Sequence, residues 1–210
     1  MQWGFSDNSL RFFSADSKKL LGLFEALHVD PISTALFVDS RTLVTGSADS
    51  TIGIWTITAP SSDVIDITSR TYLFGHRTPI TTLATSRAFS TLVSASSDGQ
   101  VLLWDLNRFA CLRVLQPSNK GTQVIRDAAV SNLSGHIALC FSHRVRIYTL
   151  NGHMLVEQKI CDGEDDEITC CAFYEGAANE WVERTLVFTG HRRGVVNVSL
   201  LTLSLIANYD

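Results

Sequence analysis

Two stretches of this chain superpose without a gap. Residues 42–55 read TLVTGSADSTIGIW and residues 91–104 read TLVSASSDGQVLLW. One offset of 49 carries Thr45 onto Ser94, Asp49 onto Asp98 and Trp55 onto Trp104. A histidine precedes each stretch, His28 and His76, four residues before an isoleucine, Ile32 and Ile80. Self-similarity at a spacing of this size marks a repeat architecture, in which one supersecondary unit stacks on its neighbours to bury a continuous core. Most of the repeated residues then hold units together, and function lies on surfaces.

Within each copy, short apolar alternation is broken by turns. In the second copy, 92–96 reads as a strand, Ser97-Asp98-Gly99 as a hairpin turn and 101–104 as the next strand. The run 80–84 precedes them and 111–115 follows. Four short strands with short connections are the pattern of a β-propeller blade.

This unit resembles the WD-repeat family: Gly75-His76 opens it and Trp104-Asp105 closes it, the two signature dipeptides. The resemblance implies a hydrogen-bonded structural set, His76, Ser94, Asp98 and Trp104, with His28, Thr45, Asp49 and Trp55 as its counterpart in the preceding unit. An Asp in the turn accepts from the His ring, the His from a hydroxyl, and the hydroxyl from the indole N–H. A buried chain of this kind is favourable only when every member is satisfied. A Ser-His-Asp trio also invites a catalytic reading, but the same trio twice in register argues for architecture.

Other units drift. Around IALCFSHRVRIYTLNG, Tyr148 holds the Trp position and Ser142 the Asp position. Around TLVFTGHRRGVVNVS, Thr189 keeps the hydroxyl, Arg193 replaces Asp and Ser199 replaces Trp. Counting back from Ile168 puts Glu164 where His would stand, which predicts a charge-swapped Glu164–Arg193 pair, against the alternative that both are solvated. At the start, 3–13 matches only the strand–turn–strand part of a unit, with Asp7 on the Asp position. The expected division of this one propeller is 1–26 partial blade, 27–74, 75–116 and 117–160 blades, and 161–210 a last, degenerate blade. The fold class is all-β, a WD-repeat β-propeller with about four to five blades, incomplete relative to a closed seven-bladed type.

Composition excludes several functions. The chain is 45% hydrophobic and 18% charged, with formal charge −4, so nothing supports general nucleic-acid binding. No apolar run reaches the ~18 residues of a membrane helix, and no signal peptide is visible, so no membrane insertion is expected. Five cysteines without C-x-x-C spacing read as reduced thiols. Cys170 and Cys171 are adjacent on an expected strand and face opposite sides, which makes a shared metal difficult. His136, His143 and His153 lack ligand spacing. No metal site and no cofactor are expected.

The match is narrower than a generic repeat. SRAFS at 86–90, WDLNR at 104–108, WGFSDNSLRFF at 3–13, YTLNG at 148–152, ITCCAF at 168–173 and TGHRRGVV at 189–196 resemble the C-terminal propeller of BEACH-domain (beige/neurobeachin-type) proteins. The resemblance covers the chain to about residue 198, which suggests a fragment of a larger protein. It implies a cytoplasmic, non-enzymatic protein-interaction scaffold in vesicle and lysosome-related membrane trafficking. PH-like and BEACH domains precede the propeller in such proteins, and the full-length protein would lie peripheral to endosomal or lysosomal membranes. A ligand- or metal-binding propeller and a propeller hydrolase are the alternatives.

Propeller links alternate between two faces. Arg87-Ala88-Phe89 and Asn107-Arg108-Phe109 fall in links on the same face of one blade, so Arg87, Phe89, Arg108 and Phe109 are the candidate partner-binding patch for other proteins. The competing reading tucks each Phe into its own blade. The acidic 162–167 stretch does not fit an EF-hand and reads as a solvated loop, against the alternative that it pairs with His191-Arg192-Arg193 in the turn of the same unit. Residues 58–70, rich in Ser, Asp and Pro, read as a long surface connection.

Overall fold

Short runs of β-branched and aromatic residues, punctuated by Asp, Ser and Gly, fold here into strands alone. The computed structural model describes residues 1–2, 7–61, 63–115, 124–161, 166–174 and 185–201. Among them there are no helices, and the strands form five antiparallel sheets. The expected all-β, blade-built fold is what the structure contains.

The chain divides into two compact units, Met1–Val124 and Ile125–Asp210. The first holds three sheets. β1 (Leu10–Phe13) and β2 (Leu20–Phe24) make a two-stranded sheet. β3 (Ile32–Phe37), β4 (Thr42–Ser47), β5 (Ile52–Ser61) and β6 (Val64–Leu73) make a four-stranded meander. β7 (Ile80–Ser86), β8 (Thr91–Ser96), β9 (Val101–Asp105) and β10 (Ala110–Leu115) make the next. The register agrees with the repeat: Thr45 lies opposite Gly53 and Ser94 opposite Leu102, 49 positions on.

The second unit holds two sheets. β11 (Asp127–Val130), β12 (Ile137–Cys140), β13 (Arg144–Tyr148) and β14 (Met154–Lys159) form a four-stranded one. β15 (Ile168–Tyr174), β16 (Thr185–His191) and β17 (Val196–Leu201) form a three-stranded one.

In each four-stranded sheet the second and third strands are buried and the fourth is largely exposed. β8 is buried at every position, whereas β10 is exposed at all but Leu115. Two clusters pack the sheets of the first unit: Val44, Ile54, Ile80, Leu92 and Trp104 between the four-stranded pair, and Leu10, Phe12, Leu43 and Trp55 against the first hairpin. In the second unit, Ala138, Ile147, Ile168 and Val187 do the same.

Residues 58–70 are not a plain loop. β5 and β6 continue as a long hairpin with Thr58 opposite Asp66 and Ser61 opposite Val64. Val64, Ile65, Ile67 and Thr68 supply enough β-branched side chain to outweigh the Pro and Ser signals.

A recurrent β-bulge went unpredicted. Ile32/Thr34, Ile80/Thr82 and Ile168/Cys170 each step over one residue on the first strand of a sheet. The skipped residues are Ser33, Thr81 and Thr169, and each hydroxyl donates to a carbonyl across the bulge: Gly46 at 3.0 Å, Ala95 at 3.2 Å and Gly190 at 3.1 Å. Ser33 also reaches the Ile80 carbonyl of the next sheet at 2.6 Å.

Candidate functional site

The His, hydroxyl and indole of the repeat meet inside both four-stranded sheets of the first unit. Trp55 Nε1 donates to Thr45 Oγ1 at 2.8 Å, and that oxygen lies 2.7 Å from His28 Nε2. Trp104 Nε1 donates to Ser94 Oγ at 2.8 Å, and that oxygen lies 2.7 Å from His76 Nε2. Alternation along β4 and β5 places Thr45 and Trp55 on one face of the sheet. The Trp55 ring lies over Gly53, where an added Cβ would stand 2.5 Å from the indole. Tyr72 packs edge-on against both His28 and Trp55 and donates its hydroxyl to the Leu27 carbonyl at 2.7 Å.

The two sets part company at the carboxylate. Asp49 lies 3.2 Å from His28 Nδ1, with the Thr51 hydroxyl 3.0 Å from the same nitrogen. Since Nε2 accepts from Thr45, Nδ1 carries the proton and donates to Asp49. Asp98 instead accepts from the Ser96 hydroxyl at 2.7 Å and the Gln100 N–H at 3.1 Å, and His76 Nδ1 has no hydrogen-bond partner. The cause is local: Thr51 offers a short hydroxyl bridge that Gln100 lacks, and Ser96 turns toward Asp98 where Ser47 turns toward the Asp30 carbonyl.

Electrostatics follow. Burial pushes the His76 imidazole down to about 4, against the opposing charge of Asp98. Burial also lowers His28, opposed by the charge and hydrogen bond of Asp49. Burial disfavours ionised Asp49, but hydrogen bonds from Thr51, the charge of His28 and the Val29 N–H outweigh it and hold that carboxyl below the usual range.

The second unit builds differently. Tyr148 is buried in the Trp position, and beside it Arg146 is 2% exposed. Its guanidinium lies 3.2 Å from Glu157 and 4.6 Å over the Phe141 ring. Ser142 accepts from Arg126 at 3.4 Å, and Arg126 pairs with Glu167 at 3.2 Å. Glu164 lies outside the described residues, so its pairing with Arg193 stands as an expectation. The Arg193 N–H donates to Asp166 at 3.4 Å.

In the last sheet His191, from the turn set against the acidic 162–167 stretch, stands next to the hydroxyl position of the repeat. His191 Nε2 lies 3.0 Å from Thr189 Oγ1, and His191 Nδ1 lies 3.1 Å from Asp166 and 3.2 Å from Cys161 Sγ. Residues two apart on a strand share a face, so His191 reaches Thr189 from within β16. Counting back from Ile168 for the histidine of the repeat leads to Glu164 and does not set His191 beside Thr189.

The candidate partner patch occupies one end of β7–β10. Arg87, Phe89 and Arg108 are exposed and Phe109 is half-buried. The Leu106 N–H donates to the Ser90 carbonyl at 2.9 Å, tying the β7–β8 turn to the β9–β10 turn. Phe109 sits in the left-handed region at φ 53° and packs on the core, with Arg70 4.7 Å over its ring. Asp39, in the neighbouring sheet's β3–β4 turn, feels the Arg87 charge.

Comparison with known proteins supplies lineage. The family WD domain, G-beta repeat matches residues 27–56 and 68–105. Beige protein homolog 1 of Schizosaccharomyces pombe is 32% identical over 202 residues, 94% of this chain and 8% of that protein. The WD repeat- and FYVE domain-containing protein 4 of Mus musculus is 32% identical over 197 residues, 93% of this chain and 6% of that protein. The Lysosomal-trafficking regulator of Homo sapiens is 29% identical over 206 residues, 94% of this chain and 5% of that protein. The chain therefore spans less than a tenth of these curated relatives.

Proposed function

Because this chain carries WD40 repeats and is homologous to BEACH-domain proteins over most of its length, we propose that it is the docking surface of a non-enzymatic trafficking scaffold. In this reading the repeated His, hydroxyl, Asp and Trp residues hold blades, and partners bind at the end of β7–β10. The observation that carries it is the coupled pair of turns bearing Arg87, Phe89, Arg108 and Phe109. Their exposed guanidinium groups beside apolar rings have the composition of an interface hot spot. Arg41 and Arg70 are exposed as well. The partner is a protein segment that presents carboxylates next to an apolar side chain.

The setting is the cytoplasmic side of endosomal or lysosome-related membranes, reached through PH-like and BEACH domains of the full-length protein. The name of the human relative, a lysosomal-trafficking regulator, supports that setting. No helix among the described residues is long and apolar enough to cross a membrane.

Affinity purification with the wild type and an F89A/R108E variant tests the patch. Loss of specific partners with an unchanged melting curve is the expected result. Loss of folding would place these side chains in the core and remove the proposal.

A further inference from the structure

We propose that Cys161, Asp166 and His191 form a binding site for one divalent metal ion of borderline softness, with zinc the best fit. Their donor atoms all lie within 4.8 Å of one another. His191 Nδ1 is 3.2 Å from Cys161 Sγ and 3.1 Å from Asp166 Oδ2. Zinc bonds of about 2.3 Å to sulfur and 2.0–2.2 Å to nitrogen and oxygen set tetrahedral ligand separations of about 3.3–3.6 Å. The two separations that involve His191 Nδ1 therefore need to open by only a few tenths of an ångström to take the ion.

Cys161 and Asp166 converge on a single ring nitrogen of His191. A cation at the centre takes a lone pair from each of the three groups. A thiolate and a carboxylate also cancel its two positive charges, which suits a pocket where Cys161 and His191 are 6% and 5% exposed.

The surroundings suit a ligating histidine. Such a ring donates its other N–H to a fixed acceptor, which sets tautomer and orientation. His191 Nε2 lies 3.0 Å from Thr189 Oγ1, which accepts that proton, and 3.1 Å from the Asn197 side-chain amide. A half-turn of the Asn197 amide presents its oxygen as a second acceptor. Asp166 is held from behind, since its Oδ1 accepts the Arg193 N–H. Its side chain is 19% exposed, so solvent reaches the rim and supplies the fourth ligand. The sulfur, nitrogen and oxygen donor set favours zinc over the oxygen-seeking magnesium and calcium.

The test is titration of the chelator-stripped, reduced 210-residue chain with Co²⁺, then with Zn²⁺. One equivalent of Co²⁺ is expected to produce a thiolate-to-cobalt charge-transfer band and tetrahedral visible bands, both abolished by Zn²⁺. C161S is expected to lose the charge-transfer band, and D166N to weaken Co²⁺ binding at least tenfold. C111S, in the first unit, is expected to change nothing. Absence of the band in the wild type, or its survival in C161S, overturns the site. Should C161S fail to fold by circular dichroism, the less buried D166N decides, and wild-type cobalt affinity in that variant overturns it equally.

Discussion

Thr51 donates its hydroxyl proton to Asp49 at 2.6 Å while its oxygen stands 3.0 Å from His28 Nδ1. This one hydroxyl closes the polar chain of its blade, and the next blade, with Gln100 in the same place, leaves its chain open at His76. Asp49→Ala should therefore cost more stability than Asp98→Ala. The first strips partners from His28, Thr51 and the Val29 N–H and should cost about 1–3 kcal/mol; the second frees only turn contacts and should cost about 0.5–1.5 kcal/mol. Urea midpoints of the two variants check the order, and a larger loss in Asp98→Ala would contradict this account.

The depressed imidazole of His76 sets a pH response. Its pKa of about 4 in the fold lies below the unfolded value of 6.5, so the unfolded chain binds more protons between these values. Stability from this group is full above pH 6.5, falls as pH drops toward 4 and changes no further below that. The slope from one histidine is at most about 1.4 kcal/mol per pH unit. His28 acts in the same direction. Replacing His76 by Asn should flatten the melting temperature between pH 6.5 and 4, and an equally steep profile in that variant would assign the response elsewhere.

Gly53 is where the indole of Trp55 lies flat on the backbone. A Cβ there would meet three ring atoms between 2.5 and 2.8 Å. Gly53→Ala should displace the indole, break its bond to Thr45 and cost about 1–3 kcal/mol, the usual range for overpacking. Gly194 offers the contrast: at φ +78° with nothing within 4 Å, an alanine meets backbone strain alone and should cost about 1 kcal/mol. Tryptophan emission should move in the first variant and stay put in the second.

Arg146 and Glu157 form the substitute arrangement of the fourth sheet. Hydrogen bonds from Arg146 and then Arg144 hold the Glu157 carboxyl below its usual range. Glu157→Gln should destabilise the chain by about 1–3 kcal/mol, because a buried guanidinium loses its counter-charge. Arg146→Met together with Glu157→Gln should recover much of that loss. Denaturant unfolding of the single and double variants, read as a cycle, separates the coupling from the individual costs.

The first unit was legible because its signals are redundant. The 49-residue offset, the Asp-turn and the Trp at strand end each mark the same register. What was not legible depends on details below that pattern. Thr51 against Gln100 is a one-residue difference in hydrogen-bond reach, and it decides whether the carboxylate meets the ring. His191 is legible as a partner for the acidic 162–167 stretch but not as a neighbour of Thr189, because a repeat template seeks its histidine before the first strand, whereas this one arises two residues after Thr189 on the strand itself. The hairpin of β5 and β6 was obscured by Pro60 and flanking serines, whose turn preference yields when β-branched residues follow.

The bulge at Ser33, Thr81 and Thr169 leaves each of these sheets one residue longer on its first strand than the ladder requires. Parity of inward and outward side chains therefore resets once in each of these three sheets, at the same point. Deleting the bulged residue would let Ile80 and Thr82 follow one another opposite Ser96 and Ala95 with the rest of the register intact. Each of these three sheets thus carries a place where chain length can change by one without shifting a single downstream pair, a splice point that repeated units can use as they diverge.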